Sequence, residues 1–255
     1  ETGTKVCCLK PEQMNEQEAI ERYMHRHGLN DFSPKAALID MDGTLYDSMG
    51  HHADAWYKLI SGLGIECCRE EFFLYEGRTG VSTINLLFNR AYGHDATPEE
   101  ARELYKTKTE LFSAMPPVDP MPGARAMVDT LLSRDITTVL VTGSGQNTLL
   151  NRLDTDFPGA FPDGRRITSH DVKFGKPHPE PFLRAMELVG VSAEQSIAID
   201  NAPMGVKSGA ASGAFTIGVV TGPIPEEELW NAGADIVYSS MPQLARRIQH
   251  LLNTL

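Results

Sequence analysis

Two carboxylates separated by one residue, Asp40 and Asp42, follow the short apolar run 36–39 and precede Gly43. One carboxylate can attack phosphorus to form an acyl phosphate, while a second acid protonates the leaving oxygen. The apolar run predicts a buried strand that ends on the two acids, where the loops of an α/β sheet bind ligands. Asp and Gly also favour turns, so a simple strand-to-turn junction is the alternative interpretation.

Three later segments carry residue types that phosphoryl transfer needs. Thr142 and Asp200 each end a predicted strand, and Lys176 stands in a turn that opens a helix. Taken singly, the threonine could be a helix cap, the lysine a surface residue and the aspartate part of a turn. Because the carboxyl ends of parallel strands share one edge of a sheet, we expect these side chains to lie beside Asp40 and Asp42. Their common position favours a phosphoryl-transfer site.

This edge also predicts a metal site. Mg²⁺ prefers hard oxygen ligands in octahedral geometry, which Asp40, Asp200 and the main-chain carbonyl of Asp42 could supply. The phosphoryl oxygens would then be held by a hydroxyl, an amide and an ammonium group. These groups belong to Thr142, Gly143 and Lys176.

The elements around these residues predict an α/β fold, a doubly wound parallel sheet with an inserted helical cap domain. From Pro122 onward helices and strands alternate, which is typical of a parallel sheet with helices on both faces. Residues 48–115 instead carry apolar residues at helical spacing and are too many for a loop. The predicted strands are 36–39, 136–141, a short one near Ile167, 196–199, 215–220 and 235–238. The predicted units are an N-terminal helical extension 1–33, a Rossmann-like core 34–47 and 116–255, and a cap 48–115, with hinges at 46–50 and 115–123.

The amino-acid composition excludes some classes of binding partner. The 255 residues are 41% apolar and carry a formal charge of −11, which argues against nucleic acid or an anionic membrane as partner. An anionic substrate would then need local positive charge, which a divalent cation supplies. No apolar run reaches the length of a membrane helix and no signal-peptide pattern opens the chain, so we expect a cytoplasmic protein. The cysteines form two vicinal pairs, Cys7-Cys8 and Cys67-Cys68, interpreted as reduced thiols, with a bridge between the pairs as the alternative.

With these residues in hand, the chain resembles the haloacid dehalogenase superfamily, in its branch of sugar-phosphate phosphatases and β-phosphoglucomutase. The run Asp40-Met41-Asp42-Gly43-Thr44-Leu45 is similar to the first family motif. Thr142, Lys176 and Asp200 are similar to the second, third and fourth motifs. The resemblance extends from about Pro34 to the end of the chain, and the inserted helices look like the mobile cap of the family.

The resemblance implies a Mg²⁺-dependent phosphatase in which Asp40 is the nucleophile and Asp42 the acid and base, with Thr142 and Lys176 steadying the phosphoryl group. An acid at position 42 argues against the dehalogenase and phosphonatase branches, which lack it. The expected metal ligands are Asp40, Asp42 and Asp200. The expected substrate contacts are His52, Arg78, Gly143, Ser144 and Asn201.

The chain departs from the family pattern in two places. The fourth motif often has two adjacent acids, but here Asn201 follows a single Asp200, so one metal contact could come from Asn201 or water. The position of the cap arginine of the mutase holds Gly80, with Arg78 two residues away. We expect hydrolysis of a small phosphate ester, with a β-phosphoglucomutase-like isomerase and a non-catalytic metabolite-binding protein as alternatives. The sequence indicates no oligomeric state.

Overall fold

The protein is described by a computed structural model covering residues 15–145 and 147–254. Its centre is a sheet of six parallel strands in the order β3-β2-β1-β4-β5-β6. The strands are β1 Ala36–Ile39, β2 Thr137–Val141, β3 Arg166–Ile167, β4 Ser196–Asp200, β5 Phe215–Val219 and β6 Ile236–Tyr238. This confirms the predicted doubly wound parallel sheet.

The sheet register explains why three of the predicted segments meet. In β1, Ile39 lies opposite Leu140 of β2 on one side and Ile199 of β4 on the other. The three strands therefore end at nearly the same level, and β1 is fully buried between its neighbours. Residues that directly follow β1 and β2, or end β4, consequently face one another across the sheet edge.

Four helices between β1 and β2 form the predicted cap. They are α2 Met49–Gly62, α3 Glu71–Leu74, α4 Gly80–Tyr92 and α5 Pro98–Ser113. The last begins with a capping box, in which the side chains of Thr97 and Glu100 accept hydrogen bonds from each other's backbone N–H groups. The four helices pack around a separate apolar core that includes Trp56, Phe72 and Leu87. A cap with its own core can keep its shape when it moves relative to the sheet.

The two chain segments that connect the cap to the core are bonded to each other. The Asp47 amide donates to the carbonyl of Asp119 at 3.0 Å, and the Met121 amide donates to that of Leu45 at 2.8 Å. Tyr46 lies between them and pairs with Pro120. We call residues 45–47 and 119–121 the paired links.

The remaining helices cover the sheet. α1 Glu16–His27 packs against the core through the buried side chains of Ala19, Ile20 and Tyr23, and the Tyr23 hydroxyl donates to the carbonyl of Gly213 at 2.8 Å. The others are α6 Ala124–Leu132, α7 Asn147–Leu150, α8 Leu153–Asp156, α9 Glu180–Val189, α10 Pro203–Ala211, α11 Glu226–Asn231 and α12 Met241–Asn253.

The structure also bears on the cysteines and on the search for membrane-spanning helices. Cys67 and Cys68 are free thiols, whereas Cys7 and Cys8 lie outside the described residues, as does the start of the predicted N-terminal helix. Within 15–145 and 147–254, none of the helices combines the length and apolar character needed to cross a membrane.

Candidate active site

The first carboxylate, Asp40, is held by the core. It directly follows β1, and its Oδ1 accepts a hydrogen bond from Lys176 Nζ at 2.6 Å. The same ammonium donates to Asp200 Oδ2 at 2.7 Å and to the carbonyl of Val141 at 2.9 Å. Lys176 is 2% exposed and comes from the turn that precedes α9. Three predicted residues from three segments thus form one buried ionic cluster.

The charges in this cluster shift its proton affinities. Burial raises the pKa of Asp40 to about 8, Asp200 and Asp42 add to this shift, and Lys176 opposes it. Although burial favours the neutral amine, the carboxylates of Asp200 and Asp40 raise the pKa of Lys176. Lys176 is therefore a permanent cation, but its single charge does not offset burial and the two neighbouring carboxylates enough to keep the pKa of Asp40 low.

The second carboxylate, Asp42, is held by the cap. Its Oδ1 accepts a hydrogen bond from Ser48 Oγ at 2.7 Å and lies 2.8 Å from His52 Nε2. On the other side of the imidazole, Lys108 Nζ lies 2.5 Å from Nδ1. The Lys108 ammonium can only donate hydrogen bonds, so Nδ1 of His52 is the acceptor. Nε2 of His52 therefore carries the proton that is donated to Asp42. Ser48 directly precedes α2, His52 belongs to α2, and Lys108 belongs to α5.

This chain of contacts sets the charge of each member. Burial alone would raise the pKa of Asp42, but His52, Ser48 and Lys108 together lower it below its usual range. Burial and the charge of Lys108 lower the pKa of His52, which favours the neutral ring. Burial also lowers the pKa of Lys108 to about 8. Asp42 is therefore a carboxylate whose proton affinity depends on cap residues.

The loop after the two acids is shaped by Gly43. Its φ of 83° is in the left-handed region, and a Cβ there would lie 2.2 Å from Asn201 Nδ2. Asn201 accepts from Thr44 Oγ1 at 3.1 Å and places its amide nitrogen 2.7 Å from Met49 Sδ. Asn201 was expected to contact substrate or metal; it lines the cavity, but its amide braces this loop.

The loop after β2 meets the cap at close range. Thr142 Oγ1 accepts a hydrogen bond from the Ser144 amide at 3.0 Å, which fixes the turn of this loop. A Cβ at Gly143 would lie 2.5 Å from the carbonyl oxygen of Gly77 in the cap. Arg78 lines the same cavity, with its Nη1 donating to Ser82 Oγ at 3.1 Å. Only a glycine at 143 allows the two backbones to approach this closely.

The enclosed space between cap and core is small. The cavity has a volume of about 40 Å³ and is walled on the cap side by Trp56, Phe72, Tyr75 and Tyr105. The Tyr105 hydroxyl accepts from the Gly145 amide at 3.3 Å, across the interface. Pockets that hold small ligands are usually several hundred Å³, so in this arrangement the space between cap and core is smaller than such a ligand needs. The predicted residues that line the cavity are Asp40, Asp42, His52, Arg78, Thr142, Gly143, Ser144, Asp200 and Asn201.

Among the residues of the site that were not identified from the sequence are Ser48, Glu76, Tyr105 and Lys108. Only Lys108 has a readable signal. It lies seven residues after Ala101 and four before Phe112, both buried, so a lysine occupies the apolar stripe of α5. The other three are ordinary polar or aromatic residues whose position depends on how the cap helices pack.

The donor set fits a magnesium ion. Asp40 and Asp200 present buried carboxylates at this edge, and because the side chain of Asp42 points to the cap, Asp42 could contribute only its main-chain carbonyl. Across the described ranges, no three acidic, histidine or cysteine side chains converge as a ligand set. Mg²⁺ binds through one or two carboxylates, water and substrate phosphate, so two carboxylates are enough. A divalent cation would also offset the charge that raises the pKa of Asp40.

Comparison with known proteins identifies the family to which this chain is similar. The haloacid dehalogenase-like hydrolase family profile matches residues 34–213. The chain is 28% identical over 233 residues to 2-deoxyglucose-6-phosphate phosphatase 1 of Saccharomyces cerevisiae, covering 84% of this chain and 91% of the yeast protein. It is 27% identical over 190 residues to hexitol phosphatase A of Escherichia coli, covering 72% and 82%. A solved Bacteroides vulgatus structure, provisionally named a β-phosphoglucomutase, is 44% identical, with a TM-score of 0.91 over 94% of this chain and 98% of that one.

Proposed function

The chain belongs to the haloacid dehalogenase-like hydrolase family, and from this premise we propose that it is a Mg²⁺-dependent phosphatase acting on a small sugar phosphate through an aspartyl-phosphate. The observation that carries the proposal is that two neighbouring acids have different partners, one set in the core and the other in the cap. Asp40 is fixed by Lys176 in the core, while Asp42 is bonded to Ser48 and His52 of the cap.

In the first step, an Asp40 carboxylate oxygen attacks phosphorus and the ester bond to the leaving oxygen breaks. Asp42 gives its proton to that oxygen, so the alcohol leaves neutral. The cap contacts keep the pKa of Asp42 low, so Asp42 takes up this proton only when the anionic phosphate of the substrate lies beside it, and then donates it readily. Lys176 holds Asp40 in place and, with Thr142 and the amides of its loop, lies where charge develops on the phosphoryl oxygens.

In the second step, Asp42 takes a proton from a water molecule, whose oxygen attacks phosphorus. The bond to Asp40 breaks, and inorganic phosphate and free Asp40 carboxylate result. A magnesium ion held by Asp40, Asp200 and the Asp42 carbonyl would supply positive charge to the phosphoryl oxygens. Contacts such as that of Gly143 with Gly77 and Tyr105 with Gly145 exclude bulk water while the cap is closed.

The sugar-phosphate part of the proposal is supported by the relatives. The yeast relative is named a 2-deoxyglucose-6-phosphate phosphatase and the Escherichia coli relative a hexitol phosphatase. Both names describe a phosphate ester of a polyhydroxylated carbon chain. The aromatic walls formed by Trp56, Phe72 and Tyr105 suit the apolar face of such a molecule.

The test of the nucleophile is Asp40→Asn. We expect more than about a thousandfold loss of Mg²⁺-dependent hydrolysis, because the side-chain amide of asparagine cannot attack phosphorus to form the acyl phosphate. Acid-quenched wild-type protein should gain the mass of one phosphoryl group on Asp40. The control is Asp47→Asn, at an exposed aspartate of the paired links. Full activity in Asp40→Asn would show that the nucleophile is misassigned.

A second function, phosphosugar isomerisation, is favoured by the 44% identity to the Bacteroides vulgatus structure. Such an enzyme returns the phosphoryl group from Asp40 to the sugar instead of to water. Incubation with β-glucose 1-phosphate separates the two, since the phosphatase yields free phosphate and the isomerase yields glucose 6-phosphate. If a generic phosphate ester is not hydrolysed at any Mg²⁺ concentration, the third candidate, a non-catalytic metabolite-binding protein, takes precedence.

A further inference from the structure

Arg78 is a cation of the cavity to which the proposed reaction gives no role. It lies in the loop between α3 and α4 and lines the same cavity as Asp40 and Asp42. Its Nη1 donates to Ser82 Oγ at 3.1 Å, whereas its Nε is buried and has no hydrogen-bond partner among the described residues. A buried donor without a partner is unfavourable, so Arg78 lacks an acceptor that a ligand could supply.

The charge of Arg78 is also not offset by a neighbouring acid. In the part of the chain that the structure describes, Arg78 forms no ion pair with a carboxylate. The two lysines of the site do have partners, since Lys176 is bonded to both core carboxylates and Lys108 donates to His52. Arg78 is therefore a permanent positive charge whose guanidinium is available to an anion.

The cap loop that carries Arg78 packs closely against the core. A Cβ at Gly143 would lie 2.9 Å from the carbonyl oxygen of Arg78, and a Cβ at Gly175 would lie 2.6 Å from Thr79 Cγ2. Gly143 belongs to the loop after β2, and Gly175 directly precedes Lys176. The loop thus lies between the two core segments that are proposed to hold the phosphoryl group, which places Arg78 on the wall next to that group.

We propose that Arg78, with Glu76 beside it, forms a second anion-binding subsite that takes a phosphate or carboxylate group at the far end of the substrate. This inference rests on the proposed phosphatase function and names its substrate class, phosphate esters of sugars that carry a second anionic group. Nε and Nη2 form one edge of the guanidinium, which suits two parallel hydrogen bonds to either group. Because Nη1 is the atom bonded to Ser82, this edge makes no hydrogen bond to the described residues.

Glu76 contributes a hydrogen-bond donor to this subsite. It lies two residues before Arg78 and lines the same cavity. Burial and the charge of Asp42 raise the pKa of Glu76 well above its usual range, and the charge of Lys108 only partly opposes this shift. A neutral carboxylic acid repels no anion, and its hydroxyl donates a hydrogen bond to an anionic oxygen. The two side chains therefore offer a cation and a neutral donor to the same group.

The experiment compares glucitol 6-phosphate with 6-phosphogluconate, which share a carbon chain and differ in the carboxylate at the far end. We expect the wild-type kcat/KM to be at least about tenfold higher for 6-phosphogluconate, because hydrogen bonds to charged groups are the stronger ones. Fructose 6-phosphate and fructose 1,6-bisphosphate form a second pair, which presents a phosphate instead of the carboxylate. A preference of this size in either pair supports the subsite and shows which anionic group it takes.

Two substitutions connect this preference to the proposed residues. Arg78→Gln removes the charge, so the ratio of kcat/KM values in the preferred pair should fall to within about twofold of one. The kcat/KM of the probe without the second anionic group should change by less than about threefold. Glu76→Val removes the weaker donor and should narrow the ratio by about three- to tenfold. The control is Arg102→Gln, at an exposed arginine of the same cap, which should leave the ratio unchanged.

Each contrary result overturns the inference. Equal use of both members of each pair, or preference for the less charged member, overturns it without any variant having to fold. An unchanged ratio in folded Arg78→Gln overturns it as well, as does an equal loss for both members of a pair, since Arg78 would then act in cap closure. Hydrolysis of p-nitrophenyl phosphate with turnover of none of the four sugar probes has the same consequence. If the wild type hydrolyses no phosphate ester, the phosphatase function itself fails, which is a separate outcome.

Discussion

Asp40 and Asp42 stand two residues apart, but one belongs electrostatically to the core and the other to the cap. Asp40 is bonded to Lys176 and has a pKa raised to about 8 by burial and neighbouring carboxylates. Asp42 is bonded to Ser48 and His52, and its pKa is lowered. The pKa values of these two side chains on one loop are thus shifted in opposite directions, because each side chain points toward a different part of the molecule.

The difference indicates where each half of the reaction is controlled. The partners of Asp40 are Lys176 and, through it, Asp200, so its surroundings should persist when the cap opens. The partners of Asp42 lie on α2 and, through His52, on α5, so cap movement should change its proton affinity. Three substitutions test this contrast between a rigid core acid and a cap-dependent acid.

The largest effect is expected from Lys176→Met in the core. It leaves Asp40 and Asp200 as neighbouring buried carboxylates without a cation, so we expect kcat to fall by more than about a thousandfold. The free energy of unfolding should fall by about 3–5 kcal/mol, as when one partner of a buried ion pair is removed. Urea unfolding and steady-state kinetics measure both, with Lys173→Met at an exposed lysine three residues earlier as control. Near-normal activity would contradict the core cluster as the anchor of Asp40.

A smaller effect is expected from Lys108→Met in the cap, because Met keeps the length of the side chain and Asp42 keeps Ser48 and His52. We expect kcat to fall by about ten- to a hundredfold, which is less than the full contribution of general acid–base catalysis. Loss of the lysine charge removes one of the causes that lower the pKa of His52, so this pKa should rise. NMR titration of the imidazole detects the rise.

The control for this variant is Lys106→Met, at an exposed lysine on the same helix. If Lys108→Met left both kcat and the pKa of His52 unchanged, Asp42 would not depend on the cap through this route.

The smallest effect is expected from Tyr105→Phe, which removes a hydroxyl at the contact between the two regions. The lost hydrogen bond to the Gly145 amide is long, at 3.3 Å. We expect KM to rise by about two- to fivefold with kcat nearly unchanged, since one neutral hydrogen bond contributes about 1 kcal/mol. Tyr92→Phe, at an exposed tyrosine of α4, is the control. A large fall in kcat would mean that Tyr105 acts in the chemistry as well as in closure.

The core half of the site could be predicted because strand ends are local features. The run 36–39 is a short apolar segment that stops at Asp40, and β4 ends on Asp200. Parallel topology then places both at one edge, whatever the detailed packing. Lys176 could be added because it opens a helix in the same alternating region.

The cap half could not be predicted in the same way. Glu76 and Ser48 reach the cavity because four helices pack in a particular arrangement, and no sequence spacing encodes that arrangement. His52 was expected to contact substrate, and it does line the cavity, but its position between Asp42 and Lys108 could not be read from the sequence. A side chain's partner on another helix depends on tertiary packing, which a helical period does not specify.

One readable element was missed outside the site. The sequence prediction ends at the strand 235–238 and omits α12, although its pattern is typical of a helix. Ser240 caps the helix, Pro242 lies in its first turn, and buried residues follow at helical spacing. These buried residues are Leu244, Ile248, Leu251 and Leu252.

The paired links make the cap exchangeable. The chain leaves the core at residues 45–47 and returns at 119–121, and the two segments bond each other. The chain therefore leaves and re-enters the core at neighbouring points, whatever number of helices lies between them. Closing a longer insertion costs little additional entropy. Evolution, or a protein engineer, could replace these helices with others and so change both the substrates that are admitted and the residues that set the pKa of Asp42, while Asp40, Lys176 and Asp200 keep their contacts in the core.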